Sequence, residues 1–185
     1  MMPEISLNIL DVAENSIRAE ASLVEITVSV QPETDMLTVI IKDDGCGMTP
    51  EQAVSVQDPF YTTRTTRKVG LGVPFFKQAA ESTGGSFRID SEKGKGTTVK
   101  AVFGLSHIDR MPLGDMNATI HNLIVYHPDT DFLYTYTYND ASFTLDTREM
   151  REILGEIPLN TPEVSAYIME YLKENQQETD GGALI

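Results

Sequence analysis

Three polar residues of different chemistry recur near the N-terminus at spacings of four and three. They are Asp11, Asn15 and Arg18. Residues three and four apart share one face of an α-helix, so a helix here would present a carboxylate, an amide and a guanidinium side by side. Such a set can hold a metal ion, orient a nucleophile and contact phosphate. The alternative interpretation is an ordinary solvated helix face.

Two glycine-rich segments could bring the main chain close to a ligand. Asp43, Gly45 and Gly47 follow a predicted strand; glycine permits close approach of a ligand, and Asp43 offers an acceptor for an exocyclic amine. Gly70 and Gly72 precede a predicted helix, whose first N–H groups would form an anion site. Each segment taken alone also fits an ordinary turn or helix start.

A cationic cluster lies between these two segments. Arg64, Arg67 and Lys68 are three of the fourteen basic residues of the chain. Their position beside a glycine-rich helix start suggests phosphate contact, although a solvated loop would have the same composition. A Walker A loop is absent, because Gly96 rather than Ser or Thr follows Lys95.

Hydrophobic periodicity predicts the elements that would position these residues. Apolar spacings of three and four indicate helices, and strict alternation indicates half-buried strands. The predicted helices span 4–21 and 73–83, and the predicted strands span 23–30, 36–42, 86–91 and 97–104.

The pattern changes after about residue 107. It predicts a helix over 114–125, a hairpin formed by 132–138 and 141–145, and two short closing helices. The predicted organisation is a domain over 1–105, a C-terminal α/β appendage with a β-hairpin over 106–175, and a flexible tail over 176–185.

Aromatic residues alternate along one face of the first hairpin strand. They are Phe132, Tyr134, Tyr136 and Tyr138. One interpretation is that they pack on a helix of the same appendage. The other is a protein-binding face, since tyrosine is enriched at interfaces.

Composition narrows the class of protein. Hydrophobic residues make up 41% and charged residues 23% of the 185 residues, the formal net charge is −14, and the pI is near 4.5. This acidity argues against nucleic acid or an anionic membrane surface as the main partner. The single Cys46 cannot form an internal disulfide, which fits a reducing compartment. Neither a signal peptide nor a membrane span is visible, so we expect a soluble, cytoplasmic chain.

Five segments together resemble the gyrase, chaperone, histidine-kinase and MutL (GHKL) ATPase superfamily. In chain order they are similar to the N box (10–16), the G1 box (43–48), the F box of histidine kinases (58–64), the G2 box (70–73) and the closing Gly-Thr strand (94–99). The resemblance implies an α+β fold of the Bergerat type. This is a two-layer α/β sandwich in which helices cover one face of a mixed sheet, here with the small α/β appendage added.

The resemblance also implies Mg-ATP as the ligand. Asn15 matches the Asn that holds Mg²⁺ against the triphosphate, and Arg18 matches a position that contacts phosphate. Asp43 matches the acceptor of the adenine N6 hydrogen, and Thr97 shares a bound water with it. Residues 58–69 match the ATP lid. The other implied ATP-binding residues are Gly45, Gly47, Met48, Tyr61, Arg64, Lys68, Gly70, Leu71 and Gly72.

Position 11 departs from the pattern of the hydrolysing members. They carry Glu four residues before the metal-binding Asn, whereas this chain has Asp11. An aspartate can act as a general base, but its carboxylate is set back by about an ångström, which can slow a reaction about a hundredfold. Glu14 points about a quarter turn away from Asn15 and is a poor substitute. We therefore predict Asp11 as a weak catalytic base.

Three functions remain open at this point. The chain could be a regulatory protein kinase acting on Ser or Thr of a partner, or a slow ATPase switch that alters partner binding. It could also be an ATP sensor without turnover. A phosphoacceptor histidine box is absent, and His107, His121 and His127 are predicted to be structural or solvated. The stand-alone arrangement is most similar to anti-sigma-factor serine kinases.

Overall fold

The computed structural model describes residues 3–60 and 71–185. The strands are β1 (Leu23–Gln31), β2 (Met36–Asp43), β3 (Ser86–Glu92), β4 (Gly96–Gly104), β5 (Asp131–Tyr138) and β6 (Ala141–Asp146). The helices are α1 (Ile5–Arg18), α2 (Pro50–Ser55), α3 (Gly72–Glu81), α4 (Met116–Tyr126), α5 (Thr147–Leu154) and α6 (Pro162–Asp180). A single 3₁₀ turn, Pro32–Thr34, connects β1 to β2 among these residues.

All six described strands belong to one sheet, in the order β3-β4-β2-β1-β5-β6. Every neighbouring pair is antiparallel except β1 and β5, which are parallel from Leu23 opposite Asp131 to Val30 opposite Tyr138. The sheet is therefore mixed. Its one parallel pair, β1 with β5, requires a long crossover connection between the two strands.

One face of this sheet is covered and the other is open. In β1 the residues Val24, Ile26, Val28 and Val30 are buried, while those between them are partly exposed. Residues that are paired across neighbouring strands lie on the same face of the sheet. The buried residues of the central strands therefore form one hydrophobic core, together with residues of α1, α3, α4 and α6. The alternation predicted from the sequence is confirmed, and so is the two-layer α+β class.

The N-terminal end of α1 is bonded to a later part of the chain. The first N–H groups of a helix have no partner within it. In α1, the N–H groups of Ile5 and Ser6 donate to the carbonyl oxygens of Pro112 and Leu113 at 3.0 and 2.8 Å. The start of α1 is thus fixed by the segment that leads into α4.

The alternating aromatic residues of β5 lie inside the protein. Phe132, Tyr134 and Tyr136 are buried, and Phe143 of β6 contacts both tyrosine rings. The hydroxyl of Tyr136 donates to a carboxylate oxygen of Asp180 at 2.9 Å. The packing interpretation is therefore correct, and the protein-binding interpretation of this face is wrong.

The segment after residue 106 adds to the same sheet and does not form a separate layer. Helix α6 has 19 residues and continues through Asp180, past residue 176, where the sequence predicts that a flexible tail begins. The buried Asp180 and its bond to Tyr136 hold this last turn against β5. None of the helices in the described residues combines the length and apolar character needed to cross a membrane.

The pairing of β1 with β5 predicts that residues 1–107 alone are not a stable unit. A truncated chain would lose the strand beside β1 and the aromatic side chains of β5, leaving apolar surface and an unpaired strand edge exposed. We expect it to aggregate or to unfold without a cooperative thermal transition, as measured by circular dichroism. A truncated chain that melts cooperatively would instead show that the predicted 1–105 domain folds by itself.

Candidate functional site

Asp43, at the end of β2, is held by two hydrogen bonds. The Ser16 hydroxyl on α1 donates to Oδ2 of Asp43 at 2.6 Å, and the Gly45 N–H donates to Oδ1 at 2.9 Å. Asp43 is half-buried. Thr97 of β4 lies directly opposite it in the sheet register. The two residues predicted to share one ligand are therefore neighbours.

The hydroxyl of Thr97 belongs to a second polar group. It lies 2.8 Å from the Ser91 hydroxyl of β3, which accepts a hydrogen bond from the Met48 N–H at 2.8 Å. The segment after β2 is thereby attached to the β3–β4 pair. Met48 itself is partly exposed beside this group.

Two glycines allow the chain to turn back over the sheet after Asp43. A Cβ on Gly45 would lie 2.8 Å from the carbonyl oxygen of Ala19 at the end of α1. Gly47 has φ +66°, and a Cβ there would lie 2.0 Å from the carbonyl oxygen of Glu92. Any larger residue would displace the segment at both positions.

The predicted metal and phosphate residues are neighbours on α1. Arg18 donates from Nη1 to Oδ1 of Asn15 at 3.2 Å; Arg18 is exposed and Asn15 is partly buried. Burial raises the pKa of the Asp11 carboxyl above its usual range; nearby Arg18 counters this effect and Glu14 adds to it. A raised pKa makes a carboxylate a stronger general base near neutral pH.

The start of α3 contacts Asp11. Helix α3 begins at Gly72, with Leu71 at the position before it. A Cβ on Gly72 would lie 2.7 Å from Cβ and 3.0 Å from Oδ2 of Asp11. The absence of a side chain at Gly72 thus lets the first residue of α3 lie directly against the Asp11 side chain.

Four of the predicted ATP-binding residues lie outside the described residues. They are Tyr61, Arg64, Lys68 and Gly70. Of the predicted lid over 58–69, the described part is 58–60. Their predicted roles stay predictions.

Sequence reasoning missed the residues that orient the predicted ones. Ser16 and Ser91 have no distinctive spacing, and their roles depend on which strand lies beside which helix. Asp44 lies in the segment 43–48 without a predicted role, yet its Oδ1 accepts the N–H groups of Ser22 and Leu23 at 2.8 and 3.0 Å. These bonds fix the start of β1 against the segment that follows β2.

The residue types at the site fit a nucleotide with a divalent cation. Within residues 3–60 and 71–185, no three His, Cys, Asp or Glu side chains are grouped to hold a metal ion by themselves. An ion at Asn15 would therefore take most of its ligands from phosphate oxygens and water, as Mg²⁺ does beside nucleotides. Asp43 and Thr97 offer acceptor oxygens at the other end for a purine amine.

The three histidines lie outside this group of residues. His121 Nε2 lies 2.8 Å from the Ser165 hydroxyl, and His127 Nε2 lies 2.8 Å from Oε1 of Glu14. His107 is on the surface. The contact of His127 is with α1, because Glu14 directly precedes Asn15 on that helix.

Comparison with known proteins identifies the same region. The sequence profile of the family described as histidine kinase-, DNA gyrase B-, and HSP90-like ATPase matches residues 4–107. The probable C4-dicarboxylate sensor kinase of Bacillus subtilis (strain 168) is 32% identical over 78 residues, 42% of this chain and 15% of that protein. Sporulation kinase C of the same organism is 29% identical over 96 residues, 52% of this chain and 22% of that protein. The chain thus matches less than a quarter of these relatives.

A solved structure supports the fold. The N-terminal domain of a DNA repair protein superposes with a TM-score of 0.55 at 13% sequence identity, covering 78% of this chain and 52% of that chain. At this identity the likeness concerns the fold alone.

The bond between Ser16 and Asp43 predicts a loss of ATP affinity in Ser16→Ala. A hydrogen bond to a charged group contributes about 1.5–3 kcal/mol, and Asp43 would lose one of the two bonds that orient it. We expect ATP to bind about tenfold more weakly by calorimetry. Ser6→Ala is the matched control, because Ser6 is equally buried on the same helix but bonds to Glu4. Equal affinity of the Ser16→Ala variant and the wild type would show that the Ser16 bond does not orient Asp43 for ATP binding.

Proposed function

The chain belongs to the histidine kinase-, DNA gyrase B-, and HSP90-like ATPase family, and we propose that its ATP-binding domain turns over Mg-ATP slowly to regulate a partner protein. The phosphoryl acceptor is either water or a Ser or Thr hydroxyl of that partner. The observation that carries this proposal is the partly buried Asp11 carboxylate beside Asn15, Arg18 and the glycine start of α3.

The proposed binding mode divides the site into two ends. Asp43 accepts the adenine amine, with Thr97 beside it in the register. Asn15 holds Mg²⁺ and Arg18 contacts phosphate on the same helix. When bound, Mg²⁺ would neutralise charge on the phosphoryl group that is transferred.

Asp11 acts in this proposal as the base that takes the proton of the attacking hydroxyl. Asp11 lies against Gly72 at the start of α3, and the first N–H groups of a helix are groups that bind phosphate. Burial raises the pKa of Asp11, which strengthens it as a base. An Asp in place of the family's Glu still implies slow turnover, because the shorter side chain reaches less far.

The names of the relatives support transfer to a protein over simple hydrolysis. Both curated relatives reported above are kinases by name. Incubation of the purified protein with γ-labelled ATP, with and without cell extract, distinguishes the outcomes. Label released as phosphate indicates an ATPase switch, label on a protein indicates a kinase, and unreacted label indicates an ATP sensor and contradicts the proposal.

The role of Asn15 predicts that ATP binding depends on a divalent cation. We expect calorimetry to give much weaker binding with EDTA than with Mg²⁺, because the amide oxygen would reach phosphate only through the ion. In Asn15→Ala the two conditions should give nearly the same affinity. Asn122→Ala, an exposed amide on α4, is the control and should behave like the wild type.

The role of Asp11 predicts lost turnover at constant affinity in Asp11→Asn. The isosteric amide keeps the contact with Gly72 but cannot accept a proton. We expect phosphate release or transfer to fall by at least about a hundredfold, with ATP affinity within a few-fold of the wild type. If turnover is unchanged, Asp11 is not the base. If ATP binds more tightly with little rate to lose, Asp11 only adjusts the charge near the phosphates.

A further inference from the structure

Glu14 and Arg18 are spaced to form an ion pair, but they do not form one. A Glu four residues before an Arg on a helix is the order that favours pairing. Within the described residues, Arg18 instead donates to Oδ1 of Asn15 at 3.2 Å, and Oε1 of Glu14 lies 2.8 Å from Nε2 of His127. The acidic partner has been drawn to a different residue, and Arg18 remains on the side of Asn15.

His127 comes from a distant part of the chain and is held firmly. It directly follows α4, and its N–H donates to the carbonyl oxygen of Leu123 at 3.1 Å. Leu123 and Ile124 are buried in the core, so the end of α4 is anchored there. The His127 and Glu14 side chains are only 24% and 31% exposed. The contact is thus partly shielded from water and spans 113 residues of sequence.

We infer that His127 is a positioning residue for ATP binding: it holds Glu14 away from Arg18 and so leaves the Arg18 guanidinium available to phosphate. This inference rests on the proposed binding of phosphate beside Asn15 and Arg18. Without His127, Glu14 would be free to pair with Arg18. This pairing opposes nucleotide binding and acts through the carboxylate of Glu14.

Electrostatics supports the same arrangement. Glu14 raises and Arg18 lowers the pKa of Asp11, in addition to the larger effect of burial. Both side chains therefore act on the charge of the site. The direction in which Glu14 is held decides whether Arg18 is available to phosphate or pairs with Glu14.

A purely structural role for His127 makes a different prediction. The hydrogen bond could simply attach the end of α4 to α1. Its loss would then lower the melting temperature, and removing the charge of Glu14 could not restore any affinity lost with it. The two roles are separated by a double variant.

The test measures Mg-ATP affinity by calorimetry at low ionic strength, where exposed charges act most strongly. A Glu–Arg pair on a helix is weak, so Glu14 would compete only modestly with phosphate for Arg18. We therefore expect His127→Ala to weaken Mg-ATP binding about threefold. The double variant His127→Ala/Glu14→Gln is expected to regain the affinity of Glu14→Gln alone, because the competing carboxylate is gone. His127→Gln, whose amide can still donate to Glu14, is expected to bind like the wild type.

The variant Arg18→Ala tests whether the effect of His127 on ATP binding acts through Arg18. In that background His127→Ala should cause little further loss, because Arg18 is the residue that His127 is inferred to protect. Thermal unfolding of each variant checks that it is folded. Unchanged affinity in a folded His127→Ala would overturn the inference, as would a double variant as weak as His127→Ala. A wild type that does not bind Mg-ATP would overturn the proposed function itself.

Discussion

The site depends on the close approach of the end of α1 to the segment that follows β2. The carbonyl oxygen of Ala19 accepts the Cys46 N–H at 2.9 Å, and the Ser16 hydroxyl reaches Asp43 at 2.6 Å. Only a glycine fits between them, because a Cβ on Gly45 would lie 2.8 Å from the Ala19 oxygen. Helix and strand are thus joined at the point where each contributes a predicted ligand-binding side chain. A larger residue at position 45 would separate Asp43 from the end of α1.

The parts of the fold that follow from local patterns could be predicted from the sequence. The alternation of Val24 to Val30 required a half-buried strand, and the spacing of apolar residues required α1. The parallel pairing of β1 with β5 could not be predicted in this way, because it joins segments about one hundred residues apart and leaves no mark in the periodicity of either. The continuation of α6 to Asp180 was missed for the same reason, since its last turn is held by Tyr136 of a distant strand.

In the candidate site too, some residues could be predicted from local sequence patterns and others depend on the tertiary structure. Asp11, Asn15 and Arg18 could be proposed as site residues because of their spacing on one helix, and Asp43 because glycines follow it. Ser16 and Ser91 could not, because a serine beside a carboxylate or a threonine becomes meaningful only when the sheet register is known. The residues proposed to contact the ligand were predicted through the motifs of a family, whereas those that orient them appear only in the tertiary structure.

Helix α1 is contacted on both flanks at residues three positions apart. On one side the start of α3 lies against Asp11, so closely that a Cβ on Gly72 would lie 2.7 Å from that of Asp11. On the other side the end of α4 reaches Glu14 through His127 at 2.8 Å. Asp11 thus lies directly against the main chain of α3, which limits the room for a longer side chain at this position.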